Sequence, residues 1–407
     1  MQKTSELRTT ASLPIYWRET YAADLVREPE GASFVYRQEF LASDEKPPRG
    51  VARSLPYAKN PNLNWGVNLH PFFANLLPEG LRLVAVKDRA GTSLDDLFTL
   101  LAAAGPDVIG DVYPRTEDAV DRYAIDLGSP EDIDFYESAA ALQGGVSDAS
   151  LPGEQPKLSA AVRTFAARLS SQQLAILKLS PERYPRLVEN EAFCLALARE
   201  CGLTTTEAKI IHDRHHQTGL LVKRFDRGGL RMSGSYERYH FEDACQLLGA
   251  YPADKYRLKM EAVVEAVLDS VPAGPRELLR LMEQYAFSYL IGNGDQHGKN
   301  IAIAWNPKLR APELSPIYDV VCTLFYPGLD HRMALPMMGR DDNFRLRYFV
   351  EFGQRNGIPE RATSVALTKI HNKLAGALER LSELGFDEKR TAFVKKELRR
   401  RLELFLT

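Results

Sequence analysis

The sequence predicts an α+β protein in which a mixed strand-and-helix part is followed by an all-α lobe. Up to about residue 230, short apolar runs with strand-like alternation are separated by single helical segments. From about residue 240, apolar residues recur at spacings of three and four, which is typical of packed helices. Two polar islands, GNGDQHGKN and LSPIYDV, interrupt this helical part. We therefore expect a sheet lobe, a helical lobe and irregular polar loops within the second.

The composition is that of an ordinary folded protein. Its 407 residues are 44% apolar and 26% charged, which excludes a disordered chain, a collagen-like repeat and a coiled-coil rod. No apolar run approaches the ~18 residues of a membrane span, and the N-terminus lacks the apolar core of a signal peptide. We therefore expect a cytoplasmic protein with no membrane contact. The net charge of −2 argues against a general nucleic-acid binder.

The chain divides into four predicted parts. Residues 1–115 form a first α+β unit, here called the N-terminal unit, with strands in FVYRQEFLA and PDVIGDVYP and a helix in SLDDLFTLLAAAG that Ser93 caps and Gly105 stops. Residues 116–157 are rich in Asp, Ser, Gly and Pro and predict a mobile linker. Residues 158–230, the small lobe, predict strands in QLAILKL, AKIIHD and GLLVKRFDR and a helix in VENEAFCLALARECG. Residues 231–407 form the helical lobe.

The loop from Asn293 to Asn300 carries the strongest chemical signal. It places Asp, His, Lys and Asn between a long apolar helix and the apolar strand IAIAW. Asp295 and Asn300 have the D-x-x-x-x-N spacing of phosphotransferase catalytic loops. In those loops the Asp accepts the proton of the acceptor hydroxyl and the Asn ligates Mg²⁺. The loop predicts a kinase-like active site.

Three further residues follow in the order of a kinase chain. Asp319, in PIYDV about twenty residues after the loop, suits a second metal ligand. Lys178 is the one charge in the strand LAILKL and can reach ATP phosphates. Glu191 on the next helix is the candidate to hold Lys178, although a first-turn Glu also caps a helix. The strand GLLVKRF could supply the hinge that meets the adenine.

Several stretches in family order make the chain similar to one known family. They are FFANLLPEG, the G-x-Q-x-K of GEQPK, ILKL, NEAFCLALARECGL, LVKRFDR, CQLLG, GNGDQHGKN and SPIYDV. From about residue 20 to residue 400, the chain resembles the HipA family of serine/threonine protein kinases, the toxins of bacterial HipBA toxin–antitoxin modules.

The resemblance implies a protein-kinase-like fold of two lobes with the added N-terminal unit. Residues 116–157 would then contain a phosphate loop, residues 158–230 the ATP-binding part of the N-lobe, and residues 231–407 the catalytic lobe. Asp295 would be the catalytic base, with Asn300 and Asp319 as Mg²⁺ ligands. The nucleotide site would comprise Glu154, Gln155, Lys157, Lys178, Lys223, Arg224, Phe225, His297, Gly298, Lys299, Asn300, Tyr318 and Asp319.

The resemblance also implies partners. The substrate would be an aminoacyl-tRNA synthetase, phosphorylated on a serine near its ATP site. The phosphorylation would stop aminoacylation, which would arrest growth and favour persistence. A HipB-like antitoxin with a helix-turn-helix fold would restrain the kinase and carry most of the contact with operator DNA.

This chain departs from the family pattern at the autophosphorylation site. The family's S-x-S-G string is here Ser150-Leu151-Pro152-Gly153. Proline has no hydroxyl, so we predict Ser150 as the modified residue.

Three alternatives remain open from the sequence. A small-molecule kinase of the aminoglycoside or choline kinase type shares the Asp…Asn loop, but usually has His before the Asp, where this chain has Gly294. A metallophosphoesterase is suggested by GDQHG, yet the further His and Asp blocks of that class are missing. A catalytically silent co-repressor that only binds the antitoxin would not need Lys178, Asp295, Asn300 and Asp319.

Overall fold

The computed structural model describes residues 7–29, 31–57, 63–64, 69–115, 124–138, 163–169 and 173–407. The strands in these ranges are β1 (Ser12–Trp17), β2 (Thr20–Glu28), β3 (Gly31–Tyr36), β4 (Gly50–Ala52), β5 (Leu55–Pro56), β6 (Leu63–Asn64), β7 (Val112–Pro114), β8 (Ala124–Leu127), β9 (Arg163–Leu169), β10 (Leu174–Leu179), β11 (Ala208–His212), β12 (Thr218–Lys223), β13 (Arg227–Leu230), β14 (Tyr236–Arg238), β15 (Phe241–Asp243), β16 (Ala302–Asn306) and β17 (Ala311–Leu314).

The α-helices in the same ranges are α1 (Gln38–Ala42), α2 (Pro71–Ala74), α3 (Gly80–Ala90), α4 (Leu97–Ala104), α5 (Leu187–Glu200), α6 (Ala244–Leu248), α7 (Met260–Ser270), α8 (Gly274–Leu290), α9 (Leu346–Arg355), α10 (Glu360–Ala377) and α11 (Glu388–Phe405). None of them is long and apolar enough to cross a membrane. Short 3₁₀ segments lie at Pro130–Asp132, Pro252–Asp254, Gly298–Asn300, Thr323–Phe325 and Leu378–Leu384.

The N-terminal unit is built on an antiparallel sheet in the order β6-β3-β2-β1-β7. Its core contains Phe34 from β3, Phe72 and Phe73 from α2, and Leu100 and Leu101 from α4, all buried. The strand predicted in FVYRQEFLA is β3, but its second half is the helix α1. Strands β1 and β2 had no counterpart in the prediction, and they pair antiparallel with each other in this sheet.

The N-cap predicted for α4 is wrong. The helix begins at Leu97 rather than after Ser93, because the Asp96 carboxylate accepts a hydrogen bond from the backbone N–H of Thr99 at 3.2 Å. Asp96 also accepts the Thr92 hydroxyl at 2.8 Å and pairs with Arg27 at 3.2 Å, which fixes it at the helix start. The predicted stop at Gly105 is confirmed as the C-cap.

The small lobe contains the predicted strands and helix in the predicted order. Its sheet has the order β11-β12-β10-β9-β8, with β8 parallel to β9 and the other neighbours antiparallel. Strand β8 comes from residues 116–157, which were predicted as a linker, and its pairing with β9 makes it an edge strand of this sheet. Helix α5 covers β11 and β12. On its other side, Cys194 and Leu195 join the core of the helical lobe. This helix therefore packs on both lobes, with Val188 in a cluster of the small-lobe sheet and Cys194 and Leu195 in the core of the helical lobe.

The helical lobe packs around the buried helix α8, whose Leu281, Tyr285, Phe287 and Tyr289 are almost inaccessible to solvent. The segments predicted as helical contain α6, α8, α10 and α11, while α7 and α9 were not singled out in the sequence. The apolar strand IAIAW is β16, the centre of a small antiparallel sheet with β15 and β17. This strand anchors the end of the loop from Asn293 to Asn300.

The N-terminal unit contacts both lobes. On the helical lobe, the backbone N–H of Arg53 donates to the Glu242 carboxylate at 3.0 Å, and Gln246 Nε2 donates to the Phe72 carbonyl at 3.2 Å. On the small lobe, the backbone N–H of Gly110 donates to Asp226 at 3.0 Å. The N-terminal unit is therefore placed to form part of any cleft between the lobes.

Candidate active site

A cavity of about 380 Å³ lies where the three parts of the chain meet. The N-terminal unit lines it with Glu79 and Arg82, the small lobe with Lys178 and Glu191, and the helical lobe with a larger group. That group includes Asp295, His297, Lys299, Asn300, Tyr318 and Asp319. The structure thus brings together, in one cavity, the residues predicted from separate motifs. Such a concave site with converging charged groups is the expected form of a ligand site.

The start of the loop from Asn293 to Asn300 is fixed by close backbone packing. Gly292 after α8 has a φ of +76°, a left-handed conformation that glycine adopts without strain. A Cβ on Gly294 would lie 2.7 Å from the carbonyl oxygen of Asp330, so this position also requires glycine. The backbone N–H of Gly294 donates to Thr323 Oγ1 at 3.0 Å. The chain therefore enters the loop along a narrow, defined path.

Asp295 is held by its neighbours in the loop and by one side chain from outside it. Its backbone N–H donates to Asn293 Oδ1 at 3.0 Å, and its carbonyl accepts from Asn300 Nδ2 at 2.9 Å. The hydroxyl of Tyr256 donates to Asp295 Oδ1 at 2.6 Å. The side-chain Nδ2 of Asn300 is thus bonded inside the loop. Its side-chain oxygen Oδ1 is the atom suited to a cation.

Lys178 and Glu191 form the predicted pair. Lys178 Nζ lies 2.8 Å from Glu191 Oε1 and 3.0 Å from Oε2, and it also contacts Asp319 Oδ1. Both members of the pair are buried, with side chains 8% and 3% exposed. Burial alone would lower the pKa of Lys178, but the carboxylates of Asp319 and Glu191 raise it above its usual value. Lys178 is therefore a permanent cation between two carboxylates.

Asp319 faces the cavity from a strained backbone. Its φ is +50°, a region that few residues other than glycine adopt. Strain of this kind costs on the order of 1–3 kcal/mol and is concentrated at functional sites. The preceding residue, Tyr318, donates its hydroxyl to the Lys299 carbonyl at 2.6 Å. The two polar islands of the sequence are therefore joined directly, and the Asp319 side chain stays 44% exposed.

The predicted hinge lines the cavity, but its charged side chains bind protein groups. Lys223 pairs with Glu207 at 3.0 Å on the surface. Arg224 is buried and bonded to Asp226 at 2.8 and 3.0 Å. Phe225 packs against Tyr318, with ring centroids 5.7 Å apart. Since these side chains have protein partners, a nucleotide base would meet the backbone of this strand.

His297 is buried, and neither ring nitrogen has a hydrogen-bond partner among the described residues. Its ring packs edge-on against Tyr256 with centroids 5.0 Å apart. Burial, followed by the charge of Lys255, lowers the pKa of His297 well below its usual value, so the imidazole is neutral. A buried, unpartnered polar ring in a cavity wall fits a bound ligand with hydrogen-bonding groups.

Gly298 does not line the cavity, although it was predicted to contact the nucleotide. A Cβ there would lie 2.5 Å from Leu258 Cδ1, so the glycine permits close packing behind the loop. Its backbone N–H donates to the carbonyl of Lys255 at 2.9 Å. The position of Gly298 therefore ties the loop to the segment that carries Lys255 and Tyr256.

Lys299 is held by the N-terminal unit. Its Nζ donates to the Asn75 carbonyl at 3.0 Å and lies 3.3 Å from Glu79 Oε1. Glu79 Oε2 also binds Lys255 Nζ. Burial alone would raise the pKa of Glu79, but Lys299 and Lys255 lower it to about 2. Sequence reasoning identified Lys299 but missed Glu79, Lys255 and Tyr256.

Four predicted residues lie outside the described part of the chain: Ser150, Glu154, Gln155 and Lys157.

Two of the described candidates supply the oxygen donors that Mg²⁺ prefers, a carboxylate from Asp319 and an amide oxygen from Asn300. Within the described residues, no three His, Cys, Asp or Glu side chains are grouped closely enough to hold a metal ion by themselves. The two donors suit a cation that is also bound by phosphates.

Two family models match the chain. The model of the HipA N-terminal domain matches residues 13–114, and that of the HipA-like C-terminal domain matches residues 149–378. The serine/threonine-protein kinase toxin HipA of Shewanella oneidensis is 28% identical over 365 residues, which cover 82% of this chain and 83% of that protein. A Sinorhizobium fredii protein named only as a candidate kinase, Y4mE, is 28% identical over 348 residues, covering 80% of this chain and 81% of that protein.

A solved structure shows the same fold. The complex of Shewanella oneidensis HipA, HipB and operator DNA contains a chain that matches with a TM-score of 0.76, at 19% identity, over 97% of each chain. This likeness confirms the predicted fold, a protein-kinase-like pair of lobes with an added N-terminal part.

Proposed function

This chain belongs to the HipA family, and we propose that it is an ATP- and Mg²⁺-dependent serine/threonine protein kinase that acts as a growth-arresting toxin. One observation carries the proposal: Lys178, Asp295, Asn300 and Asp319 line one cavity, with Lys178 paired to Glu191. These residues come from the small lobe and from two separate loops of the helical lobe. Their convergence is the arrangement that phosphotransfer requires.

The residues would act as follows. Asp295 accepts the proton of the acceptor hydroxyl as that oxygen attacks. Lys178, held by Glu191, contacts the ATP phosphates, while Asn300 and Asp319 hold Mg²⁺. ATP would supply the phosphoryl group, and a bound Mg²⁺ would offset the negative charge of the phosphates. The neutral His297 and the hinge backbone at Lys223–Phe225 orient the nucleotide.

The three alternative functions agree less well with this site and with the relatives. A catalytically silent co-repressor would have no use for a buried Lys–Glu pair beside a strained aspartate. A metallophosphoesterase would need a ligand cluster, and none is formed by the described residues. A small-molecule kinase would share the site, but the name of one relative, the Shewanella oneidensis HipA, is that of a serine/threonine-protein kinase toxin.

The partners follow from the family and from the related complex. The HipA relative is found with HipB and operator DNA, which supports a HipB-like helix-turn-helix antitoxin for this chain, with operator DNA bound mainly through that antitoxin. We also propose an aminoacyl-tRNA synthetase as substrate, a role in persistence and a cytoplasmic location. Ser150, beside Pro152, is the proposed site of any autophosphorylation, because phosphate there would repel the ATP phosphates.

The test compares cells that express the wild type with cells that express Asp295→Ala, both without an antitoxin. We expect growth arrest and new phosphoserine on an aminoacyl-tRNA synthetase with the wild type alone. Co-expression of a helix-turn-helix protein encoded beside the gene should restore growth. Equal arrest by both variants, or no Asp295-dependent phosphosite in the proteome, would show that the kinase proposal is wrong.

A further inference from the structure

Glu79 brings a carboxylate from the N-terminal unit into the catalytic cavity. It lies in the turn before α3, as the N-cap residue of that helix, and its side chain is 27% exposed. Its two oxygens contact two ammonium groups of the helical lobe, Lys255 and Lys299. Because Glu79 has a pKa of about 2, it is ionised at every pH at which the protein would work. One carboxylate therefore links a separate folding unit to the loop that carries Asp295.

Both lysines belong to segments that set the position of Asp295. Lys299 is part of the catalytic loop, between His297 and Asn300. The Lys255 carbonyl accepts the backbone N–H of Gly298 at 2.9 Å. The next residue, Tyr256, donates its hydroxyl to Asp295 Oδ1 at 2.6 Å. An ion pair to Glu79 therefore restrains the loop directly through Lys299 and indirectly through the segment Lys255–Tyr256.

The charge balance shows why this carboxylate matters. Lys255 is 5% exposed as a residue and the Lys299 side chain is 15% exposed, so both ammonium groups have lost most of their water. Asp243 is not placed to replace Glu79, because its carboxylate caps α6 by accepting the backbone N–H of Gln246 at 2.8 Å. Without Glu79, the ammonium groups of Lys255 and Lys299 would lose the one carboxylate that contacts them both.

We propose that Glu79 is a positioning residue for phosphotransfer: by neutralising Lys255 and Lys299 it holds the catalytic loop, and hence Asp295, in register with the acceptor. This inference rests on the proposed kinase function. Glu79 does not accept the proton and does not bind the nucleotide. Its effect is on the geometry of the reacting groups, where a displacement of about 1 Å can cost on the order of 10²-fold in rate.

The experiment measures phosphate transfer from [γ-³²P]ATP to a mixed serine/threonine peptide library by five purified full-length proteins. They are the wild type, Glu79→Gln, Glu79→Asp, Glu242→Gln and Asp295→Ala. Glu242 is the matched control, since it is a carboxylate of the same interface through Arg53, is more buried than Glu79, and does not line the cavity. ATP stoichiometry and affinity by calorimetry, and the melting temperature, are measured for each protein.

We expect Glu79→Gln to lower kcat on the order of 10- to 100-fold, while it binds one ATP with little change in affinity. Glu79→Asp should recover part of the rate, because it keeps the charge. Glu242→Gln should lose a similar amount of thermal stability and keep its kcat within about twofold. These fold-changes follow from displacement of the loop rather than loss of the nucleotide site.

Two results would overturn the inference. One is a kcat for Glu79→Gln within about twofold of the wild type. The other is an equal loss in Glu242→Gln, which would show that any loosening of the interface has this effect. If the wild type transferred no more phosphate than Asp295→Ala, the kinase function and this inference would both be wrong. If the wild type is active and Glu79→Gln is equally active, only this inference is wrong.

Discussion

Two charge clusters line the same cavity and have opposite composition. In the first, the single cation Lys178 lies between two carboxylates, Glu191 and Asp319. In the second, the single carboxylate Glu79 lies between two cations, Lys255 and Lys299. The first therefore carries an excess of negative charge and the second an excess of positive charge. Each cluster joins two different parts of the chain, so both are points where the parts are held in register.

The opposite net charges of the two clusters suit different roles. A cluster with a spare, half-exposed carboxylate can share that group with a divalent cation, because Mg²⁺ binds oxygen ligands and phosphates together. A cluster with a spare ammonium cannot bind a cation, but it can anchor a loop beside a polyanionic ligand without competing for the metal. We expect the first cluster to control nucleotide affinity and the second to control the rate of the chemical step.

The largest expected effect tests the first cluster. Replacing Lys178 by Met leaves Glu191 and Asp319 without their ammonium partner, and breaking a buried pair in this way costs about 3–5 kcal/mol. We expect a clear fall in melting temperature and a loss of ATP affinity of about 100-fold, or roughly 2.7 kcal/mol. Calorimetric titration with Mg·ATP and thermal unfolding measure the two effects.

The control for this variant is Lys209→Met, which removes an exposed lysine from β11 of the same sheet. It should change neither quantity. Unaltered ATP affinity in Lys178→Met would show that this lysine serves only the internal ion pairs.

A smaller effect is expected from Asp319→Asn. The substitution removes the spare carboxylate and leaves the Lys178–Glu191 pair in place, so the fold should be retained. We expect Mg²⁺-dependent ATP affinity to fall by about tenfold, or 1.4 kcal/mol, with metal-free ATP binding unchanged. ATP titrations across a Mg²⁺ series measure this. Equal losses with and without Mg²⁺ would contradict the assignment of Asp319 as a metal ligand.

The smallest effect concerns the second cluster in acid. Glu79 has a folded-state pKa of about 2, against a usual value of 4.5, so its ion pairs stabilise the folded protein fully above about pH 4.5. That stabilisation should be lost as the pH falls from 4.5 towards 2, because protonation of the carboxylate then favours unfolding. We expect it to be about 1 kcal/mol, because solvent screens this partly exposed carboxylate. It is seen as a difference in free energy of unfolding between wild type and Glu79→Gln.

Denaturant titrations at pH 6 and at pH 3 provide the comparison. The difference between the two proteins should shrink at the lower pH. A difference that stays constant would mean that the charge of Glu79 does not contribute to stability.

The first cluster could be predicted from the sequence because each member has a local signal. Lys178 is the one charge in an apolar strand, Glu191 follows on the next helix, and Asp319 ends an apolar run in a family motif. The second cluster has no such signal, since Glu79 and Lys255 are 176 residues apart. Only the docking of the N-terminal unit on the helical lobe brings them together. The one sequence feature that singles out Glu79 is its position in Pro78-Glu79-Gly80, where it is a charged residue at the end of an apolar run.

The fold shows the same division between local and tertiary information. The helices and strands of the small lobe were predicted where apolar spacing was regular, as in β10 and α5. The start of α4 was predicted wrongly, because Asp96 competes with Ser93 as a cap and gains two further partners from tertiary contacts. The strands β1 and β2 were missed for a related reason. Their partly exposed residues give weak alternation, and they are stabilised by pairing with each other.

The most direct test of the account is phosphate transfer by Asp295→Asn. The side chain keeps its size and can still bond to Tyr256, but it cannot accept the proton of an acceptor hydroxyl. We expect transfer from [γ-³²P]Mg·ATP to fall on the order of 10²-fold or more, with one ATP still bound at close to wild-type affinity. Transfer at the wild-type rate by this variant would contradict the claim that Asp295 is the catalytic base of a protein kinase.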